Sequence, residues 1–509
     1  MKIERTKTAT RNIIYGGLLK IYQILLPFLM RTVILYTLGV KYLGLNGLFV
    51  SILQVLNLAE LGVGSAMVYS MYKPIVEDDK KTICALMNLY KIYYRIIGVI
   101  ILAAGLSITP LIPQLISGEV PEDTNLYILY WLNLISTVLT YWLFAYKSSI
   151  LQAFARNDLI SKVTLFTETC KYILQVLALV IFHNYYYFVI IILITQIATN
   201  VITAAVAGRY YPEYIAQGRL EKEETAVING RIKDLFTSKL GAVVVNSADS
   251  VVISAYLGLS ILAVYQNYFY VINSIIGFVT IIFTSTTAGI GNSILVESEE
   301  KNFRDLSKFT FLIMWIAGFC TGCLICLYQP FMILWVGKEY MLPFKSVICF
   351  CIYYFVYEMN QIWTSYKDAA GMWHEDRFRP LCTALANLIM NIVMVRYIGL
   401  YGVMLSTVLS TVIIGMPWLI RNIFTVIFSK KYMYEYLRKI FYYVIIVLLV
   451  CSIDYLLCDN VNLSLIMTMF LRLLICVTVT NILFYLFFFR TREFKDCVDL
   501  FKKILKGNK

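Results

Sequence analysis

Runs of about twenty apolar residues recur along the entire chain, and no soluble domain accommodates that pattern. A helix needs roughly 20 such residues to cross the hydrocarbon core of a bilayer. Inside lipid, every backbone polar group must be satisfied within the segment, so a chain of this kind folds as membrane-spanning helices. Hydrophobic residues make up 60% of the 509 and charged residues only 15%, as expected of a polytopic membrane protein. The pattern predicts about fourteen spans, near 13–37, 43–72, 92–117, 126–149, 159–182, 185–207, 237–257, 261–295, 307–333, 342–368, 379–397, 400–421, 440–457 and 463–489. Short connections favour antiparallel neighbours in an all-α bundle. The basic start, Lys2 to Arg11, runs into the first apolar stretch with no small-residue cleavage site, so that stretch is read as a retained span.

Charge sets the expected orientation. The net charge of +13 comes from 44 Lys and Arg against 31 Asp and Glu. With the N-terminus inside, about 36 of the basic residues fall on cytoplasmic segments and about four on outer loops. Both termini are then cytoplasmic, and the basic excess needs no nucleic acid to explain it. The longest polar stretch, 208–236, divides the chain into a six-span lobe at 1–207 and a second at 237–425. It is expected to be a cytoplasmic amphipathic linker. Residues 426–509 would add two further spans and a basic tail, with Phe494, Val498, Phe501 and Leu505 on one face. Weak echoes support an internal six-plus-six repeat: Leu38-Gly39 with Leu257-Gly258, and Tyr211-Pro-Glu-Tyr214 with Tyr434-Glu-Tyr436.

Charged residues inside these spans carry the functional signal. A charge at mid-bilayer costs roughly 2.5–3.5 kcal/mol on insertion scales, so each needs a partner, water or a role. Lys20, Arg31, Glu60, Glu168, Lys171, Asp249, Glu358 and Arg472 all lie in apolar runs, which points to an enclosed polar cavity and hence to transport. Lys20 and Arg31 lie eleven residues apart on one face of the first span, where two cations suit a phosphate. Gln54, Asn57 and Glu60 follow at intervals of three on the second span, ahead of Gly62 and Gly64. Asn246 and Asp249 stand among serines on the seventh. Tyr354, Glu358, Gln361, Ser365 and Asp368 form a polar stripe on the tenth. Glu168 and Lys171, three residues apart, should neutralise each other.

Other chemistries have little support. Cys320, Cys323 and Cys326 share a helix at spacings of three and read as small packing residues, with no His or carboxylate beside them in sequence. The only histidines are His183 and His374. No metal site and no cofactor are expected. No Walker loop, dinucleotide turn or nucleophile elbow is present, so an ion gradient, the membrane potential, the substrate gradient or a partner must supply the energy. The expectation is that the chain is not an enzyme.

Several segments together resemble the Wzx-type oligosaccharide flippases. They are Phe28-Leu-Met-Arg31, Tyr42-Leu-Gly-Leu-Asn-Gly-Leu-Phe49, Leu58-Ala-Glu60-Leu-Gly62-Val-Gly64, Asp249-Ser-Val-Val-Ile-Ser254, and Asp376-Arg-Phe-Arg-Pro380 with Tyr397-Ile-Gly399. The resemblance implies the multidrug/oligosaccharidyl-lipid/polysaccharide (MOP) exporter superfamily and a V of two six-helix lobes that opens alternately to either side. It implies a polyprenyl-diphosphate-linked oligosaccharide as substrate, carried across the bacterial cytoplasmic membrane for capsule, O-antigen or exopolysaccharide assembly. H+ or Na+ is a coupling candidate. Glycan polymerase, glycosyltransferases and membrane lipids are the implied partners. Arg31 and Lys20 are the implied diphosphate ligands, and the polar stripes of the spans add Glu60, Asn57, Asp249, Asn246, Glu358 and Gln361 as candidate cavity residues. A cation-coupled multidrug exporter of the same superfamily is the nearest alternative, and a membrane glycan polymerase or glycosyltransferase a more distant one.

Overall fold

The computed structural model describes residues 5–461 and 463–505, and every regular element among them is helical. By Cα proximity the chain forms two compact units, Met1–Ala263 and Val264–Lys509.

The first unit contains α1 (Arg5–Thr37), α2 (Val40–Leu56), α3 (Val63–Val76), α4 (Lys80–Ile108), α5 (Leu126–Trp142), α6 (Ser148–Ala153), α7 (Asn157–Phe182), α8 (Tyr185–Tyr210) and α9 (Lys222–Leu257). Its core gathers Leu43, Leu45, Leu48, Phe49 and Tyr130, all at most 1% exposed. α1 packs on α7, and Ile14, Leu18, Ile21, Leu25 and Leu29 form an exposed apolar stripe on its other side. The pair expected at 168 and 171 is formed: Lys171 donates to Glu168.

Two predicted spans of this unit are broken. The second is split by a 3-10 turn, Asn57–Glu60, followed by Gly62 at φ 90°, a conformation that only glycine adopts without strain. The fourth bends by 46° between Leu126–Trp142 and Ala145–Ala153. The segment 222–236 is the start of α9, continuous with the predicted span 237–257 rather than a separate surface helix. Its Glu, Lys and Ala residues favour helix, and no proline interrupts it.

The second unit holds α10 (Leu259–Val296), which begins just before it, and α11 (Glu299–Val336), α12 (Phe344–Ala369), α13 (Arg379–Ile398), α14 (Leu400–Ser410), α15 (Met416–Val426), α16 (Lys431–Asp459), α17 (Leu465–Ile475), α18 (Asn481–Phe488) and α19 (Arg492–Leu505). A π turn, Thr411–Gly415, joins α14 to α15, and another, Cys476–Thr480, joins α17 to α18. The first directly precedes the turn carrying Pro417, whose ring cannot continue a regular hydrogen-bond ladder. The core is aromatic: Phe311, Trp315, Tyr443, Phe484 and Phe488 interlock with ring centroids 5.3–6.4 Å apart. α19 does not simply lie at the lipid surface as the tail pattern suggests. Phe494 stacks on Trp315 at 5.9 Å, Cys497 is buried, and Arg304 grips Asp496 with two hydrogen bonds. Phe501 and Leu505 have side chains outside the described residues.

Eleven helices among the described residues are long and apolar enough to cross a membrane, or twelve if the bent pair is one span. α9 and α12 are 36 and 26 residues long, enough to cross as well, which keeps the helix set consistent with fourteen spans.

Candidate functional site

The break in the second span builds the most organised polar cluster of the first unit. Ending α2 at Leu56 puts Asn57 and Glu60 on a non-α turn, where backbone and side chains can face polar groups. Tyr94 of α4 donates to Glu60 Oε1 at 3.3 Å, and Tyr90 donates to the Tyr94 hydroxyl at 2.6 Å. Tyr141 of α5 donates to Asn57 Oδ1 at 3.1 Å, and its ring stands edge-on to Tyr94 at 5.2 Å. Three tyrosines thus anchor the two polar residues of the break. The composition hides them among 39 tyrosines, and only the i, i+4 spacing of Tyr90 and Tyr94 hinted at a shared face. Gln54, one turn earlier, is exposed.

α9 runs beside α2 and α3 and brings Asp249 into the same unit. The contact is close at both ends. At Gly44 an added Cβ would lie 2.0 Å from the Leu259 carbonyl oxygen, and at Gly62 one would lie 2.6 Å from Leu235 Cβ. Near the second of these, Tyr93 donates to Asn229 Oδ1 at 2.6 Å and Arg231 to Ser70 Oγ at 3.1 Å. At the other end the Ser117 amide donates to the Ser254 carbonyl at 2.9 Å. Asp249 lies between the Leu235 and Leu259 contacts, as Glu60 lies between Gly44 and Gly62. Asp249 is 8% exposed, and Ser247 and Ser254 are fully buried. The side chain of Asn246 lies outside the described residues.

Lys20 is exposed and Arg31 half-buried, both on α1. Eleven residues separate them by about 16 Å along the axis, so one diphosphate meets both only if the two side chains extend toward each other.

In the second unit the stripe on α12 is largely buried. Glu358 is 1% exposed, and neither carboxyl oxygen has a hydrogen-bond partner among the described residues. The Tyr354 hydroxyl, one turn away, also lacks one, and the Cys320 thiol lies beside it. A carboxylate in such a place is costly unless a proton or cation neutralises it. Gln361 donates to the Tyr357 hydroxyl at 2.8 Å. The charged motif after α12 is a corner staple: Arg379 holds Asp376 through two hydrogen bonds of 2.6 and 2.7 Å, with Lys367 at 3.8 Å. Acidic Glu119, in the loop between α4 and α5, is paired with Lys41 at 2.5 Å.

The second unit also contains an apolar cavity of about 780 Å³ between α12, the α14–α15 rod and α16. Ile348, Phe355, Met416, Val444, Leu448 and Leu456 are among its walls, and no charged residue among the described residues lines it.

No protein-family model and no curated protein sequence matches the chain. Solved structures do. "Lipid II flippase MurJ, inward closed conformation" superposes with a TM-score of 0.65 at 16% identity, over 94% of this chain and 99% of that one. An inward-facing multidrug resistance MATE family transporter of the MOP superfamily gives 0.58 at 16% identity, over 79% and 96%. A MOP superfamily transporter from Pyrococcus furiosus, whose report notes a reverse polarity of its binding pocket, gives 0.51 at 13%, over 82% and 94%. The chain therefore has the fold of the MOP superfamily transporters and is a multi-pass membrane protein.

Proposed function

We propose that this protein is a flippase that moves polyprenyl-diphosphate-linked oligosaccharides across a bacterial cytoplasmic membrane, with both termini in the cytoplasm. The observation that carries this reading is the charge-free apolar cavity of the second unit. Small-molecule pockets of similar volume combine apolar walls with a few placed polar groups. A lining without any charge suits a hydrocarbon tail and supplies no counter-ion to a cationic solute. Part of its wall is α16, the first helix after the twelve spans of the proposed two lobes, 1–207 and 237–425. The glycan and diphosphate would instead use the polar residues of the first unit: Arg31, Lys20, Asn57, Glu60 and Asp249. A hydrated cavity lined by such groups replaces the water that hydroxyls and phosphates would otherwise lose.

Alternating access needs contacts that close one side and can part. In this reading the contacts made with α9 and the start of α10 supply them. The Gly44–Leu259 approach and the Ser117–Ser254 hydrogen bond lie at the outer end, and the Gly62–Leu235 approach lies nearer the cytoplasm. Glu60 and Asp249 sit between these closures, where a change in access would change their solvation.

Depletion in the native cell is the direct test. Lipid-linked glycan should accumulate on the cytoplasmic leaflet while its synthesis continues. Unchanged distribution between leaflets would refute the proposal. A second reading, a cation-coupled multidrug exporter, draws on the buried carboxyl of Glu358 and on the similarity to MATE structures. It predicts hypersensitivity to cationic drugs on depletion, with normal glycan export.

A further inference from the structure

Three cysteines far apart in sequence meet in the second unit. Cys326 comes from α11, Cys458 from the last turn of α16, and Cys476 opens the π turn after α17. Their three sulfurs all lie within 4.8 Å of one another, and each residue is at most 1% exposed. The sequence had grouped Cys326 with Cys320 and Cys323. The structure pairs it instead with residues from two other helices.

The surroundings are built around this point. The π turn adds a residue to the helix and so sets the rotation of Cys476 and Thr480, both fully buried; such turns are frequent at functional sites. The Cys458 thiol points at the Arg472 carbonyl and the Cys476 thiol at the Gly322 carbonyl, each at 3.9 Å. Arg472 lies alongside. It donates from Nη1 to the Cys326 carbonyl at 3.2 Å and from Nη2 to the Val461 carbonyl at 3.5 Å. Its buried Nε has no hydrogen-bond partner, and no carboxylate among the described residues forms an ion pair with it. Arg472 is half-buried, and with its inner Nε sealed from solvent a nearby anion is favourable. The residue that bonds it through its carbonyl, Cys326, is one of three thiols able to become thiolates. One turn before Cys458, Asp454 accepts from Thr480 at 2.6 Å through Oδ2, while its buried Oδ1 has no partner.

We propose that Cys326, Cys458 and Cys476 form a binding site for a thiophilic d10 metal ion, copper(I), that fastens the α16–α17 hairpin to α11. Soft thiolate ligands select copper(I) and zinc among biological metals. Zinc in structural sites takes four ligands, and three sulfurs with no fourth His, Cys or carboxylate donor in the cluster among the described residues suit trigonal copper(I) better. Three sulfurs around one ion at about 2.3 Å would lie about 4 Å apart, so the observed cluster needs little contraction. The site loses up to three thiol protons on loading. Copper(I) on three thiolates carries two negative charges, and Arg472 offsets one. No electron is transferred, because the ion is supplied already reduced.

The test uses the full-length protein in detergent, purified anaerobically with a reductant. Copper(I) is delivered from a chromogenic chelator. Wild type should take up one equivalent, and X-ray absorption should show about three sulfur neighbours per copper. C326S, C458S and C476S should each lose at least tenfold in affinity. C320S and C323S, which leave the cluster intact, should match wild type. No uptake by wild type would overturn the proposal, as would uptake unchanged in the three variants. Preferential retention of zinc over copper would overturn the choice of ion. Formation of a disulfide between two of the three under these conditions would also overturn it. The stoichiometry and sulfur count come from wild type, so a variant that fails to fold does not leave the question open.

Discussion

Replacing Gly44 with alanine tests whether the contact of α2 with the start of α10 is a gate. The added Cβ would lie 2.0 Å from the Leu259 carbonyl oxygen and 2.7 Å from its carbonyl carbon. Backbone atoms cannot rotate aside, so α2 must retreat by about 1 Å or more before the contact is tolerable. Overpacking of this kind costs about 1–3 kcal/mol. If that cost falls only on the closed state, the closed population drops by about 5- to 150-fold relative to the open one. The Ser117 amide, bonded to the Ser254 carbonyl at the same corner, reports the change. Hydrogen–deuterium exchange there should accelerate by a similar factor, while the tyrosine-anchored turn at Asn57–Glu60 keeps its protection. Translocation should slow because the cycle loses one of its end states. Unchanged exchange at the corner in a folded Gly44→Ala protein would show that the contact is static packing, and the gating argument would fail.

Other expectations follow from the same geometry. Arg31→Ala should abolish translocation and Lys20→Ala weaken it, with insertion unaffected. Arg31→Lys should keep part of the activity, since it keeps charge but not the planar fork; full activity of the double alanine variant would rule out a substrate role. Asp249→Asn and Glu60→Gln should alter the pH or sodium dependence of transport in vesicles beyond any fall in rate, and superimposable profiles would exclude coupling. Tyr94→Phe should weaken the Glu60 anchor by about 0.5–1.5 kcal/mol and loosen the 57–60 turn in exchange experiments. The hydrogen bonds from Arg304 hold the Asp496 carboxyl below its ordinary value. A depressed carboxyl contributes stability above its unfolded pKa and loses it as pH falls through the folded one, so α19 should stay docked at neutral pH and loosen only below about pH 4. Asp496→Asn should loosen it at neutral pH, seen as faster proteolysis of the tail.

The helical plan was legible because span length and apolar composition answer directly to the bilayer. The breaks within spans were not. Gly62 and Gly64 allowed either close packing or a bend, and nothing local chose the positive φ after a 3-10 turn that the structure shows at Gly62. The π turns leave no mark except Pro417 near the first. Asn57, Glu60 and Asp249 were visible as polar residues in apolar runs, but the tyrosine partners of Asn57 and Glu60 were not, because interfacial tyrosines are common in such chains. The meeting of Cys326, Cys458 and Cys476 depends on how α16 and α17 dock on α11, and no local spacing encodes that.

The central claim is translocation of a lipid-linked glycan, and reconstitution measures it without the rest of the cell. Purified protein in liposomes containing a polyprenyl-diphosphate-linked oligosaccharide should expose initially protected glycan to an impermeant glycan-modifying reagent, at a rate that depends on protein. Arg31→Ala liposomes should behave like empty ones. Glycan that stays protected in the presence of folded wild-type protein, alongside efflux of a cationic drug from the same liposomes, would contradict the flippase account and favour a drug exporter.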